Sequence, residues 1–273
     1  AAEGLFSPEG DTFEVKVMLG SIATIRACLQ NQEGKPVLAV ERAQEALKDL
    51  PDSNDFSCSL RSVATSILGD ASRLGGNLDE ARKAYAEAVR ISQAAGNMYM
   101  SMIANLNLAE VHLEKGELHE ANRIYSETVQ LAIRPDGQSL PIADSVYAGL
   151  AKIEYEWNHI EVAAQHIQQC IELCQQWRNA ALLARSTVLL ARIERARGRT
   201  EKALEAMRTT QQLTHDPSLS PRQARLLKVS AAGWWLEQGD LGRANQLLKE
   251  LGMTKKWVEE QIKLPDFKIA YDQ

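Results

Sequence analysis

Aromatic residues and cysteines are scarce in this chain of 273 residues. Aromatic side chains account for 5% of the residues, and there are four cysteines. Because β-strands draw heavily on aromatic and β-branched residues, the shortage of aromatics disfavours a sheet protein. Four cysteines are too few for a disulfide framework, which favours a reducing, cytoplasmic location.

Long apolar runs and an excess of basic charge are also absent. No stretch approaches the roughly 20 apolar residues that a membrane span needs, and the first residues, AAEGLFSPEG, lack the pattern of a signal peptide. The net charge is −5, with 31 basic and 36 acidic residues. Because domains that bind phosphate backbones are usually basic, we do not expect a nucleic acid as a partner of this chain. The lack of long apolar runs likewise argues against a membrane as a partner.

Motifs that carry chemistry are absent as well. The sequence has no G-x-x-x-x-G-K-[ST] phosphate loop, and no nucleophile with a base or paired carboxylates can be assembled from it. His166, Cys170 and Cys174 lie at i, i+4 and i+8, but three successive helical turns span about 12 Å, too far for one ion. We therefore predict that the chain is not an enzyme, has no metal site, and buries these cysteines in the core.

Alanine and leucine are abundant. The sequence has 36 Ala and 33 Leu, so about a quarter of the residues are strong helix formers. Hydrophobic residues at 45% and charged residues at 25% are ordinary for a globular chain. The composition therefore predicts an all-α protein.

An internal repeat organises the sequence. Six alanines recur in similar surroundings at intervals of 42, 40, 42, 40 and 41 residues: Ala39, Ala81, Ala121, Ala163, Ala203 and Ala244. A turn residue precedes each by five positions: Gly34, Gly76, Gly116, Asn158, Gly198 and Gly239. Gly or Asn supplies the left-handed residue that ends a helix, and a small Ala lets a second helix approach closely. The pattern predicts six helical hairpins.

One hairpin cannot bury its apolar face alone, so neighbours must stack. We therefore predict one domain over residues 1–273, a right-handed superhelical solenoid. The predicted hairpins span residues 13–50, 55–95, 98–133, 140–177, 179–214 and 221–252, and 255–273 is predicted to begin a further, truncated repeat.

The small-residue, glycine, alanine and tyrosine pattern resembles the tetratricopeptide repeat (TPR), whose usual period is roughly 34 residues. The longer period here, with segments such as GNLDEARKAYAEAVRISQAAGN and EWNHIEVAAQHI, resembles the repeat domain of MalT-like transcriptional activators with a LuxR-type DNA-binding end. The resemblance covers about residues 13–262.

That resemblance implies a bacterial sensor domain used in signal transduction. In the family the repeats lie between an ATPase and a helix-turn-helix, and the best-known member receives a malto-oligosaccharide. We therefore expect this chain to be a piece of a larger regulator, with no cofactor of its own and ATP bound only in another domain of the parent protein. The resemblance does not name the inducer, since such solenoids present variable surfaces on a common frame.

The resemblance also places a ligand surface. In TPR proteins the first helix of each hairpin lines the concave groove. The positions that match it and suit a polar ligand are Asp70, Asn107, Glu110, Lys152, Tyr155, Arg185 and Arg192.

Several occupants of that groove remain open. A small-molecule inducer or a regulatory protein fits a sensor, and self-association is a further alternative. A generic interaction scaffold that holds a peptide or helix is the rival function, favoured by apolar Ile103, Leu106, Val188 and Leu189. A solvated inner face without any small-molecule site is the third reading.

Overall fold

The computed structural model describes residues 12–253. This part of the chain contains twelve α-helices. They are α1 (Phe13–Gln32), α2 (Pro36–Asp49), α3 (Asp55–Leu74), α4 (Leu78–Ala94), α5 (Met98–Glu114), α6 (Leu118–Leu131), α7 (Ala143–Glu156), α8 (Ile160–Trp177), α9 (Ala180–Ala196), α10 (Thr200–Leu213), α11 (Pro221–Glu237) and α12 (Leu241–Glu250). The prediction of an all-α chain built from helical hairpins is confirmed.

The helices group into two compact units. The first unit ends at Gly149 and the second begins at Leu150, within α7. In the first unit α1 packs on α2, α3 on α4 and α5 on α6, and in the second α9 packs on α10 and α11 on α12. A single domain over 1–273 remains a prediction, and the truncated repeat predicted at 255–273 lies outside the described residues.

Each predicted turn contains a left-handed residue. The φ angles of the five glycines are between 73° and 77°, and Asn158 has a φ of 62°. At Gly76 the chain closes as a Schellman turn, in which the Gly76 N–H donates to Arg73 O and the Asn77 N–H donates to Ser72 O. The same pair of bonds recurs at Asn158. The turn residues therefore end the first helix of each hairpin as the sequence predicts.

The periodic alanines are the contact points of the hairpins. Each is the fourth residue of an even-numbered helix, and all six are fully buried. The larger side chain one turn later fills the space above. Tyr85 is fully buried and lies so close to Gly69 that a Cβ at Gly69 would come within 2.7 Å of the Tyr85 ring. Tyr125 covers Gly149 in the same way.

The cysteines of α8 are core residues. Cys170 and Cys174 are fully buried, with their Sγ atoms 3.8 Å apart, and Cys170 Sγ lies 3.1 Å from Ser186 Oγ on α9. The predicted burial of both is confirmed. Among residues 12–253 no group of three potential ligands has a geometry suited to a metal ion. No helix in this range has the length and apolar character that crossing a membrane requires.

The contact between Gly69 and Tyr85 gives a direct test of the packing. We expect Gly69→Ala to lower the free energy of unfolding by about 1 to 3 kcal/mol, because the new Cβ displaces the buried Tyr85 ring. Gly233→Ala is the control: it lies inside α11 with nothing within 4 Å of its added Cβ, so helix propensity should raise stability by up to about 1 kcal/mol. Urea denaturation measures both, and equal effects of the two substitutions would contradict the account.

Candidate ligand-binding surface

In the first unit, Asp70 joins three helices. Its carboxylate on α3 accepts a hydrogen bond from Asn31 Nδ2 on α1 at 2.6 Å and another from the Tyr85 hydroxyl on α4 at 2.5 Å. The two donors use different carboxylate oxygens, and the side chain is only half-buried. The two hydrogen bonds therefore hold the Asp70 carboxylate in one orientation on α3, the first helix of its hairpin.

One repeat later, Glu110 occupies the matching position. The Tyr125 hydroxyl donates to Glu110 Oε1 at 3.0 Å, as Tyr85 does to Asp70. Beside this pair, Arg73 Nε on α3 lies 3.3 Å from Glu114 Oε1 on α5. Adjacent odd-numbered helices in this unit are thus linked by polar side chains.

Burial governs the ionisation of the two tyrosines. The pKa of Tyr85 is raised far above its ordinary value, first by burial and then by the charge of Asp70. Burial and the charge of Glu110 raise the pKa of Tyr125 in the same way. Because a raised tyrosine pKa favours the protonated phenol, both hydroxyls remain donors at neutral pH.

Asn107 completes what we term the unit 1 polar row, which consists of Asn31, Asp70, Arg73, Asn107, Glu110 and Glu114. Asn107 precedes Glu110 by three residues on α5, so the two lie on the same helix face. It is half-buried, and its amide makes no hydrogen bond with residues 12–253.

In the second unit the predicted residues are mostly basic. Arg192 on α9 makes an ion pair with Glu237 on α11 at 2.7 Å, and Arg195 Nε donates to Gln238 Oε1 at 2.9 Å. Arg185 is exposed two turns earlier on α9, without an ion pair in the described range. Arg192 is therefore engaged within the protein, whereas Arg185 is accessible.

Lys152 and Tyr155 lie three residues apart on α7, and both are half-buried. The Tyr155 hydroxyl has no hydrogen-bond partner within residues 12–253. The structure thus divides the seven predicted positions. Asp70, Glu110 and Arg192 bind neighbouring side chains, and Lys152 also takes part in an interaction within the protein. Asn107, Tyr155 and Arg185 have side chains with no such partner in the described range.

The sequence did not predict the roles of several residues on this surface. Tyr85 and Tyr125 are visible in the repeat as space-filling residues, but their hydroxyls also orient the carboxylates. The signal was available, because a buried tyrosine hydroxyl usually finds a hydrogen-bond partner. Asn31, Arg73 and Glu237 offered no such signal, since their roles depend on which repeats become neighbours.

Most of the chain matches one protein family. Residues 20–266 match the model of the MalT-like TPR region. The chain belongs to this family. The match covers most of the residues that form the hairpins, and it confirms the resemblance to MalT-like regulators.

Individual relatives agree with the MalT-like TPR assignment. The HTH-type transcriptional regulator MalT of Yersinia pestis strain Pestoides F is 22% identical over 243 residues, which are 84% of this chain and 26% of that protein. The chain thus spans about a quarter of the length of the curated relatives that it matches.

Two solved structures show that the fold is a TPR-like helical solenoid. One is the Rap conjugation gene regulator of plasmid pLS20 in complex with the Phr* peptide, with TM-score 0.66, 15% identity and coverage of 90% of this chain and 65% of that one. The other is a STAND signal-transduction ATPase with a tetratricopeptide repeat sensor from Pyrococcus horikoshii. Its TM-score is 0.61 at 15% identity, and the match covers 96% of this chain and 39% of that one.

The tyrosine–carboxylate pairs of this MalT-like TPR region generate a stability prediction. We expect Tyr85→Phe to lower the free energy of unfolding by about 1.5 to 3 kcal/mol, because Asp70 loses a charge-assisted donor. Tyr99→Phe is the matched control, since Tyr99 is 45% exposed on α5 and its hydroxyl makes no hydrogen bond with residues 12–253. Chemical denaturation of both variants is the measurement, and an unaffected Tyr85→Phe would refute the structural role of this bond.

Proposed function

We propose that this chain is the sensor region of a MalT-like transcriptional regulator and binds a polar regulatory ligand on its odd-numbered helices. The ligand would lie either against the unit 1 polar row or, in the second unit, against the exposed Arg185 on α9. The role is one of binding, without catalysis. Membership of a repeat family shared with regulators supports it.

The observation that carries the proposal is the availability of Asn107, Tyr155 and Arg185. Asn107 lies in unit 1, Tyr155 and Arg185 lie in the second unit, and none of the three makes a side-chain hydrogen bond or ion pair with residues 12–253. The amide offers donors and an acceptor in unit 1, and the phenol and guanidinium offer both in the second unit. This mixture suits a ligand that carries hydroxyl, amide or carboxylate groups.

The oriented carboxylates of unit 1 add to this capacity. Each oxygen of Asp70 accepts one internal hydrogen bond, and an ionised carboxylate has room for about four. Asp70 and Glu110 can therefore accept hydrogen bonds from a ligand while the tyrosines hold them in place. Such a fixed arrangement lowers the ordering cost of binding.

The function of similar proteins supports a sensor. The Pyrococcus protein is described as carrying a tetratricopeptide repeat sensor, and the Rap regulator was solved with a peptide bound. For the present chain, a ligand that touches several repeats would favour one arrangement of the hairpins over others. By linkage, that preference would shift the resting and ATP-bound states of the parent regulator.

A peptide is the second candidate ligand. Ile103 and Leu106 are half-buried on α5 beside Asn107, so this face combines apolar side chains with an amide that can bind a peptide backbone. The peptide complex of the Rap regulator favours this alternative. A scaffold of this kind would bind a peptide or helix and no small molecule.

The experiment is a thermal-shift screen of the purified chain with two panels, one of malto-oligosaccharides and other small polar metabolites, the other of peptides. We expect a compound that raises Tm, with calorimetry then giving its Kd. Asn107→Ala should weaken a ligand bound in unit 1 at least fivefold, and Arg185→Ala should do the same for a ligand bound in the second unit. Both variants should leave the Tm of the free protein unchanged, because neither side chain has an internal partner in the described range.

Matched controls lie on even-numbered helices. Asn122→Ala on α6 and Arg82→Ala on α4 remove the same chemical groups, which make no hydrogen bond or ion pair with residues 12–253. These controls should leave Kd unchanged. A hit only among the peptides would select the scaffold over the metabolite sensor. Equal weakening by the variants and their controls would contradict the proposed surface.

A further inference from the structure

The second unit contains a cavity away from the predicted groove residues. Its volume is about 320 Å³, and it lies between α10, α11 and α12. It is lined by Leu204, Met207, Arg208, Gln211, Thr214, Ala231, Trp235, Arg243, Gln246 and Leu247. None of the seven groove positions predicted from the repeat pattern belongs to this set.

The floor of the cavity is apolar and belongs to the core of this unit. Met207 and Ala231 are 3% and 4% exposed and belong to the hydrophobic core of this unit. Leu204, Leu247 and Trp235 pack against the same core and form the walls. A compact apolar group would therefore meet a preformed surface, as small-molecule sites usually provide.

Trp235 is fixed from two sides. Its ring meets that of the buried Trp234 edge-on, with centroids 4.6 Å apart and planes at 83°. The Arg243 guanidinium lies over the Trp235 ring, 4.3 Å from its centroid. A cation–π contact of this kind holds the arginine side chain in place while its N–H groups can still donate hydrogen bonds. Arg243 is thereby a positioned donor.

The rim carries an excess of positive charge. Arg208 is exposed and has no ion pair or hydrogen bond with residues 12–253. Arg243 makes an ion pair with Asp240, with Arg243 Nε 3.4 Å from Asp240 Oδ2. The amides of Gln211 and Gln246 are the other polar groups of the rim. Two arginines beside an apolar floor complement a ligand with an anionic head and an apolar body.

We propose that this cavity is a second binding site, for a small organic carboxylate whose apolar body rests on Met207, Ala231 and Trp235 and whose anionic group meets Arg208 and Arg243. The cavity suits a ligand of one or two rings. This site for an anion lies at α10–α12 and shares no residue with the ligand surface proposed on the odd-numbered helices.

The probe is 2-naphthoate, titrated into the 273-residue chain by calorimetry, with neutral 2-naphthalenemethanol and inorganic sulfate as comparisons. We expect 2-naphthoate to bind at least tenfold more tightly than either comparison, because only it supplies both the apolar body and the charge. Equal affinity for the neutral alcohol would overturn the anionic site, and equal affinity for sulfate would overturn the apolar one.

Variants locate the site. Arg208→Gln and Arg243→Gln should each weaken 2-naphthoate binding about tenfold, and Arg208→Gln should leave the fold intact because its side chain has no partner in the described range. Arg222→Gln, an exposed arginine at the start of α11 that does not line the cavity, is the matched control and should leave Kd unchanged. Undetectable binding, or the same affinity in Arg208→Gln and Arg222→Gln, would refute the proposal.

Discussion

Six alanine side chains, one in each hairpin, are fully buried where the second helix of the hairpin begins. Closely packed interiors tolerate little added volume, so the absence of side-chain bulk at these points sets how near the helix backbones come. The left-handed turn residue five positions earlier fixes where the second helix starts. Recurrence of these two features every 40 to 42 residues accounts for where the first helix of each hairpin ends and where the second begins.

The repeat made most of the fold accessible to sequence reasoning. Gly76 and Asn158 predict helix ends because Gly and Asn are among the few residues that readily adopt a positive φ. Ala81 predicts a close contact between helices because its side chain is small. The surface was harder to read. The partners of Asp70 and Arg192 come from sequence separations of 15 to 45 residues, and such pairings depend on how neighbouring repeats pack.

Some residues serve both the packing of the hairpins, which we term the frame, and the proposed ligand surface. Other residues serve only one of the two. Tyr85 fills the space above Gly69 and also orients Asp70, so packing and polar presentation are coupled there. Asn107 and Arg185, in contrast, contribute no hydrogen bond or ion pair within residues 12–253. A MalT-like TPR region built in this way can change its polar surface by substituting the second kind of residue, with the hairpins unchanged. The cavity beside Trp235 is formed by the same kind of hairpin, and the ligand proposed for it is an organic carboxylate with an apolar body.

The most direct test of this separation is the free energy of unfolding of two leucine substitutions in the second unit, measured by urea denaturation. Ala163→Leu should lose at least about 2 kcal/mol, because the added side chain must be accommodated at a fully buried contact. Arg185→Leu should change stability by less than about 0.5 kcal/mol, since its exposed side chain has no partner in the described range. Tolerance of leucine at Ala163, or an equal loss at Arg185, would contradict the division between frame and surface.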